Sequence, residues 1–255
     1  MKLYYTALTD DNGVKLKTIL KNRLYISNSL LIKLKDSNAI FVNDIPVFVN
    51  KILKENDLII VDFDCIEFKR NRINCYDAKL NILYEDEYLL IVDKPCNLEI
   101  HSCLNNYDKT LANIVMNYYT KKGYNIDKVH ILTRLDKDTS GICIIAKNEY
   151  IQNLFEIRKE HIHFIKEYTA IVNGIVEKNH DIIENNIARH DGSIILRQVA
   201  LMGSYAKTEY FVLKRNIEKN YTILSIILHT GRTHQIRVHM ANLGHILLRR
   251  YIICF

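Results

Sequence analysis

"TRLDKDTSGICIIAK", residues 133–147, is a polar turn that runs without interruption into an apolar strand. Arg134 and Asp136 stand one residue apart in the turn, and Gly141 marks a tight backbone at the entrance to "ICIIAK", which reads as a buried strand. From residue type and spacing, a carboxylate placed there has three readings: a cap on local backbone, an ion-pair partner for Arg134, or a catalytic group. All three stay open at this level.

A buried strand needs covering elements, and both flanks supply them. Upstream, "ILYEDEYLLIVDKP" reads as a strand at Tyr88–Val92 closed by Pro95, and "TLANIVMNYYT" puts Leu111, Ile114, Val115 and Tyr118 on one helical face. Downstream, "NEYIQNLFEIRKE" is an amphipathic helix, and "KEYTAIVNG" and "YTILSIILHT" are strands. Alternation in the first of these sets Tyr168, Ala170 and Val172 on one face and Glu167, Thr169 and Ile171 on the other. Strands and helices are mixed without a strict repeat, which favours α+β over a doubly wound fold.

"HTGRTHQIRVHMANLGH", residues 229–245, gathers Arg232, His234, Arg237 and further histidines with no acid among them. A helix from about Thr233 to Leu243, capped by Thr233 and stopped at Gly244, puts His234 and Arg237 at i and i+3 on one face. The histidines lack Cys, Asp or Glu at ligand spacing, and His234 with His239 at i+5 do not share a helical face, so no metal site is expected.

At the other end, "VKLKTILKNRLYISNSLLIKLK" carries Lys15, Lys17, Lys21, Arg23, Lys33 and Lys35 and no carboxylate. Leu16, Ile19, Leu20 and Leu24 make one helix, and Leu30, Leu31 and Leu34 make a second behind a Ser27 or Asn28 cap. "AIFVNDIPVFV" and "DLIIVDF" read as short strands. A small domain is therefore expected over 14–64, a linker over the irregular 65–79, and a larger domain over 80–255. The cationic helix pair is a solvated face or a phosphate-binding one, and six uncompensated cations favour the latter.

The whole chain, 255 residues with 48% apolar content and net charge +6, has room for these two cores and suits a polyanionic partner. Its six cysteines form no C-x-x-C pair, the N-terminus lacks the apolar core of a signal peptide, and no run approaches the roughly 20 apolar residues of a membrane span. A reduced, cytoplasmic, monomeric protein without membrane contact is the expectation.

"TRLDKDTSG", "KEYTAIVNG", "SYAKTEYFVL" and "HTGRTHQIRVHMANLGH", in this order, resemble the RluA-type RNA pseudouridine synthases, and "YEDEYLLIVDKPCNLEIHSC" is similar to the stretch that opens their catalytic domain. The resemblance covers about 80–248. The basic helix pair and "IFVND" likewise resemble the small RNA-binding domain named after ribosomal protein S-four, which often precedes that catalytic domain. The implied architecture is a small N-terminal RNA-binding domain followed by a catalytic domain with a mixed, mostly antiparallel sheet flanked by helices.

The resemblance implies a cofactor-free isomerisation in which a uridine of structured RNA is detached at N1–C1′, turned and rejoined through C5. Large-subunit ribosomal RNA is the favoured substrate over transfer RNA. Asp136 matches the catalytic aspartate, Arg237 its basic partner, and Tyr168 the aromatic that packs on the uracil. Arg134 matches the residue that helps displace the target nucleotide. Arg232 and His234 extend the substrate surface, and Lys15, Lys17, Lys21 and Arg23 are the expected RNA contacts of the small domain. Two places depart from the family pattern. Thr133 stands where His is usual, and "GHILLRRYIICF" replaces the usual Gly-His-Pro and Gly-Asp continuation, so the catalytic domain is expected to be shortened or divergent there. Its apolar terminus would then pack in place of the usual segment or expose a sheet edge. The alternative function is a non-catalytic or weakly active RNA-binding relative.

Overall fold

The computed structural model describes residues 1–66, 74–101, 109–126, 128–159, 164–190, 192–193 and 196–254. Residues 67–73, within the expected 65–79 linker, lie outside the described residues.

The first 66 residues form β1 (Lys2–Thr6), α1 (Leu16–Asn22), α2 (Asn28–Asp36), β2 (Ile40–Val42), β3 (Ile45–Pro46) and β4 (Leu58–Asp62). The strands make one antiparallel sheet in the order β1-β4-β2-β3. Leu16, Ile19 and Leu20 of α1 and Leu30, Leu31 and Leu34 of α2 are buried against it, as their spacing requires. The Ser27 hydroxyl caps α2 by accepting from Leu30 N at 3.2 Å. Asn43 and Asp44, with φ of 52° and 63°, make the tight turn between β2 and β3, and both are residue types that tolerate the left-handed region. The sheet starts at Lys2, ahead of the expected boundary at residue 14. Its edge strand "KLYYT" has no buried position, so its alternation is too shallow to stand out in the sequence.

The cationic helix pair is less one-sided than its sequence suggests. Arg23 Nε lies 3.6 Å from the buried Asp11 carboxylate and Lys33 Nζ lies 2.7 Å from Glu149, so acids from elsewhere in the chain meet two of the cations. Lys15 and Lys17 remain exposed and Lys21 half-buried.

The remaining elements are β5 (Asn81–Glu85), β6 (Leu89–Lys94), α3 (Leu111–Lys121), β7 (His130–Ile131), β8 (Ser140–Ala146), α4 (Glu149–Arg158), β9 (Lys166–Asn173), β10 (His180–Arg189), β11 (Arg197–Val199), β12 (Ser204–Asn216), β13 (Tyr221–Leu228), α5 (Gln235–Asn242) and β14 (Leu247–Cys254). They form a ten-stranded sheet ordered β11-β10-β12-β13-β9-β14-β8-β6-β5, with β7 paired to β8. Every pairing in it is antiparallel except β14 with β8, so the α+β class with a mixed, mostly antiparallel sheet describes the molecule.

The main core lies between this sheet and α3, where Leu111, Val115, Met116 and Tyr119 meet Val92, Cys143, Ile145, Tyr168 and Ala170. In β8 one face, Cys143 and Ile145, belongs to that core, while Ile142 and Ile144 are half-buried and line a cavity. The apolar run "ICIIA" therefore serves two surfaces. The C-terminal stretch does not form an open edge: β14 is an interior strand, paired with β9 through Ile252↔Ala170 and with β8 through Cys254↔Gly141. Gly141 has φ of 118°, a backbone conformation that residues with a Cβ rarely adopt, where β8 meets Lys94 on one side and Cys254 on the other.

The two sheets meet through α4. Tyr150 is buried in the core of the small unit, its ring 5.3 Å from that of Phe63, and Asn153 Nδ2 donates to Tyr25 O at 2.7 Å. Among the described residues no helix is long and apolar enough to cross a membrane.

Candidate active site

The turn at 132–139 is tied down on both sides. Leu132 N donates to Ile144 O at 2.8 Å, and Ile144 N donates back to the Thr133 hydroxyl at 2.9 Å, so Thr133 fastens the turn to β8. Leu135 is buried in the main core, which leaves Arg134 exposed and turns Asp136 to the cavity. Thr139 N donates to Asp136 O at 3.1 Å, and Leu98 N donates to Lys137 O at 3.2 Å.

Beneath the turn lies Lys94, a fully buried lysine. Its Nζ donates to Pro95 O and Leu98 O at 2.9 Å and to Lys137 O at 3.1 Å. Burial lowers its pKa from the ordinary lysine value. Three carbonyl dipoles surround this amine, so it acts as an internal clamp that fixes the backbone next to Asp136.

Opposite the turn is α5. It begins at Gln235, two residues later than the expected Thr233, and its N-cap is His234 in the left-handed region with φ of 59°. Thr233 is not the cap, because the chain must swing through His234 to enter the helix. That swing is held by Gln235, itself buried, whose Oε1 accepts from the Thr230 hydroxyl at 2.8 Å and from Arg232 N at 2.9 Å. Its Nε2 donates to Lys207 O at 3.0 Å and to the Thr208 hydroxyl at 2.9 Å. One side chain thus joins the loop before α5 to β12. His239, one turn on, shares the Thr208 hydroxyl at 2.9 Å, and burial lowers its pKa.

The helix brings Arg237 Nε to 3.8 Å and His234 Nε2 to 4.0 Å from the same Asp136 oxygen, Oδ2. The carboxylate is therefore paired across the cavity with Arg237, the partner that the family resemblance implies, and not with Arg134, which faces solvent beside it. Tyr168 is buried to 8% exposure, on the same sheet face as Ala170, and lines the cavity. The cavity, of about 570 Å³, is bordered by Arg134, Asp136, Tyr168, Arg232, His234 and Arg237. That volume suits a nucleoside-sized occupant.

Six expected site residues thus converge on one cavity. Lys15, Lys17, Lys21 and Arg23 do not border it; they belong to the small unit. Sequence reasoning missed Lys94 and Gln235. A lysine at the end of the apolar run "LLIVDK" and a glutamine in the first turn of an otherwise cationic helix were the signals that could have pointed to them. Among the described residues, no group of three His, Cys, Asp or Glu side chains is arranged to hold a metal ion.

A family model described as RNA pseudouridylate synthase matches residues 88–242. A protein of Bacillus subtilis (strain 168) named as an uncharacterized RNA pseudouridine synthase is 34% identical over 223 residues, which span 87% of this chain and 77% of the relative. The ribosomal large subunit pseudouridine synthase D of Haemophilus ducreyi is 39% identical over 177 residues, 69% of this chain and 53% of the relative. Among solved structures, human RNA pseudouridylate synthase domain containing 1 superposes with a TM-score of 0.57 at 20% identity, over 74% of this chain and 80% of that one, a likeness of fold.

Proposed function

The chain belongs to the RNA pseudouridylate synthase family and is an RNA pseudouridine synthase, and from that premise we propose that it isomerises specific uridines of structured ribosomal RNA through Asp136. The supporting observation is the Asp136 carboxylate facing Arg237 and His234 across a nucleoside-sized cavity lined by Tyr168.

The chemistry follows from these groups. Isomerisation breaks N1–C1′, forms C5–C1′ and moves the C5 proton, with no net gain or loss of atoms. Asp136 acts at the ribose, by attack or by assisting proton abstraction. The Arg237 guanidinium opposite it complements its charge while the uracil is detached. Tyr168 packs on the uracil as it turns, and Arg134, exposed at the rim, fills the place of the displaced nucleotide or holds its phosphate. A stacked base costs a few kcal/mol to extrude, and basic residues with an aromatic wall offset that cost.

Ribosomal RNA is preferred over transfer RNA because a relative carries the name of a large-subunit synthase. The small N-terminal unit, with exposed Lys15 and Lys17 on α1, serves as an S-four-like RNA-binding module. Mapping pseudouridines in total RNA from cells with and without the gene tests activity and substrate together. A ribosomal position that loses the modification supports the proposal. An unchanged ribosomal map with a lost transfer-RNA position overturns the substrate, and an unchanged total map overturns the activity.

A further inference from the structure

Between β10 and the turn that leads from β11 into β12 lies a second hollow, an open groove of about 510 Å³. It is lined by Asn185 and Asn186 of β10, by Val199 at the end of β11, by Leu201 of the turn and by Tyr205 of β12, β10 lying between the other two strands. None of these belongs to the cavity at Asp136.

The turn displays apolar side chains to water, with Leu201 97% and Met202 88% exposed. It is nevertheless pinned. Ala200 N donates to Asn186 O at 3.0 Å, and Asn186 Nδ2 donates to Leu201 O at 3.1 Å. Gly203 lies so close to β10 that a Cβ there would fall 2.7 Å from Ile187 O. Two large apolar side chains held outward on a fixed backbone are poised to meet a partner surface.

Tyr205, 48% exposed, presents a ring at the groove beside Asn186, its partner across the β10–β12 pair and so on the same sheet face. The carboxylate of the groove, Glu184, is held by Lys207 at 2.8 Å and by Tyr205, so it does not stand as an unmet negative charge. Exposed Arg189 and Arg232 flank the region. Arg232 joins the two hollows: its side chain lines the Asp136 cavity, and its Nε donates to Tyr205 O at 3.0 Å. Tyr205 lies on the sheet face opposite Ala206, and Arg232 stands between it and the cavity.

We propose that this groove is a second nucleotide subsite, taking an unpaired base that flanks the reacting uridine. Tyr205 stacks on the base, Leu201 and Met202 wedge against its neighbour, and the amide of Asn186 meets its polar edge. An aromatic face, an amide and cations without a free carboxylate are the chemistry of an exposed base on a phosphate strand. Apolar side chains on a rigid turn are also what separates stacked bases. The proposal rests on the RNA-isomerase reading and extends it to a neighbouring nucleotide.

The test uses the full chain and a fluorescein-labelled oligouridylate, with binding followed by anisotropy and pseudouridine formation measured in parallel on ribosomal RNA. Tyr205→Leu, and Leu201→Ser with Met202→Ser, should each weaken binding about ten-fold, while Tyr205→Phe keeps wild-type affinity. The substituted side chains are exposed, and circular dichroism checks that the variants fold. Wild-type affinity in all the variants overturns the subsite and leaves the isomerase reading standing. A wild-type protein that neither binds the oligonucleotide nor forms pseudouridine overturns both. Concentration-dependent self-association that the serine pair abolishes, with RNA affinity unchanged, makes the turn a protein contact and also overturns the proposal.

Discussion

Lys94 Nζ donates to the carbonyl oxygen of Lys137 at 3.1 Å, one residue beyond Asp136. The same amine holds Pro95 O and Leu98 O, so Lys94→Met removes a donor from three carbonyls, of which Lys137 O keeps its bond from Leu98 N. The expected loss is at least about 1–3 kcal/mol of stability. Activity should fall further than stability alone explains, because the backbone beside Asp136 is released. Chemical denaturation alongside a single-turnover assay at a temperature where the variant remains folded separates the two effects.

Asp136→Asn keeps the shape of the side chain and removes its charge. Pseudouridine formation should drop by at least about a hundred-fold, the scale expected for removal of a catalytic group. RNA binding should be largely retained, since the cationic surfaces are untouched. Turnover at the wild-type rate would place the chemistry elsewhere.

Gln235→Leu removes all four hydrogen bonds that join the loop before α5 to β12. A stability loss of roughly 1–3 kcal/mol is expected, with a larger fall in kcat/KM as Arg237 and His234 lose their fixed approach. Gln235→Glu still accepts from Thr230 and Arg232 N but cannot donate to Lys207 O, so its activity should lie between the two. Equal loss in both variants would refute the loop-holding role.

Replacing Lys15, Lys17 and Lys21 together by Gln should weaken RNA binding at low salt. The slope of log K against log salt should become shallower by about 2–3, near 0.7–0.9 for each phosphate that is no longer neutralised. An unchanged slope removes α1 from the RNA surface.

Acid should loosen the small unit through two buried carboxylates. The Tyr5 hydroxyl, donating at 2.6 Å, holds the Asp11 carboxyl below its ordinary value of 3.8, and the Lys54 amide does the same for Asp57 at 2.8 Å. A depressed folded-state pKa contributes stability that is fully present above the unfolded value and is lost as pH falls through the folded one. Hydrogen exchange in α1 and β4 should therefore accelerate as pH drops below 3.8, after correction for the intrinsic exchange rate. Asp11→Asn should remove part of that pH dependence, and an identical profile in the variant would rule out Asp11 as a source.

Much of the secondary structure is legible in the sequence because it is local. The apolar spacing of Leu16, Ile19 and Leu20, the Ser27 cap and the alternation through Tyr168, Ala170 and Val172 all depend on neighbours within a turn or a pleat, and each lies where its pattern puts it. The start of α5 is not legible in this way, because Thr233 is a good capping residue in isolation. The cap is set instead by Gln235 reaching β12, far away in the chain.

The order of the motifs along the chain is enough to fix the family and the residue types available for the chemistry. Which of those residues meet is settled by packing. Asp136 has three partners or roles open to it within its own turn, and the pairing with Arg237 exists because α5 and the 132–139 turn face each other across one cavity. Periodicity tells a side chain which face it occupies; it does not say which other face arrives opposite. Lys94 under the turn and β14 inside the sheet depend on that second choice, which burial and hydrogen bonding settle over the whole fold.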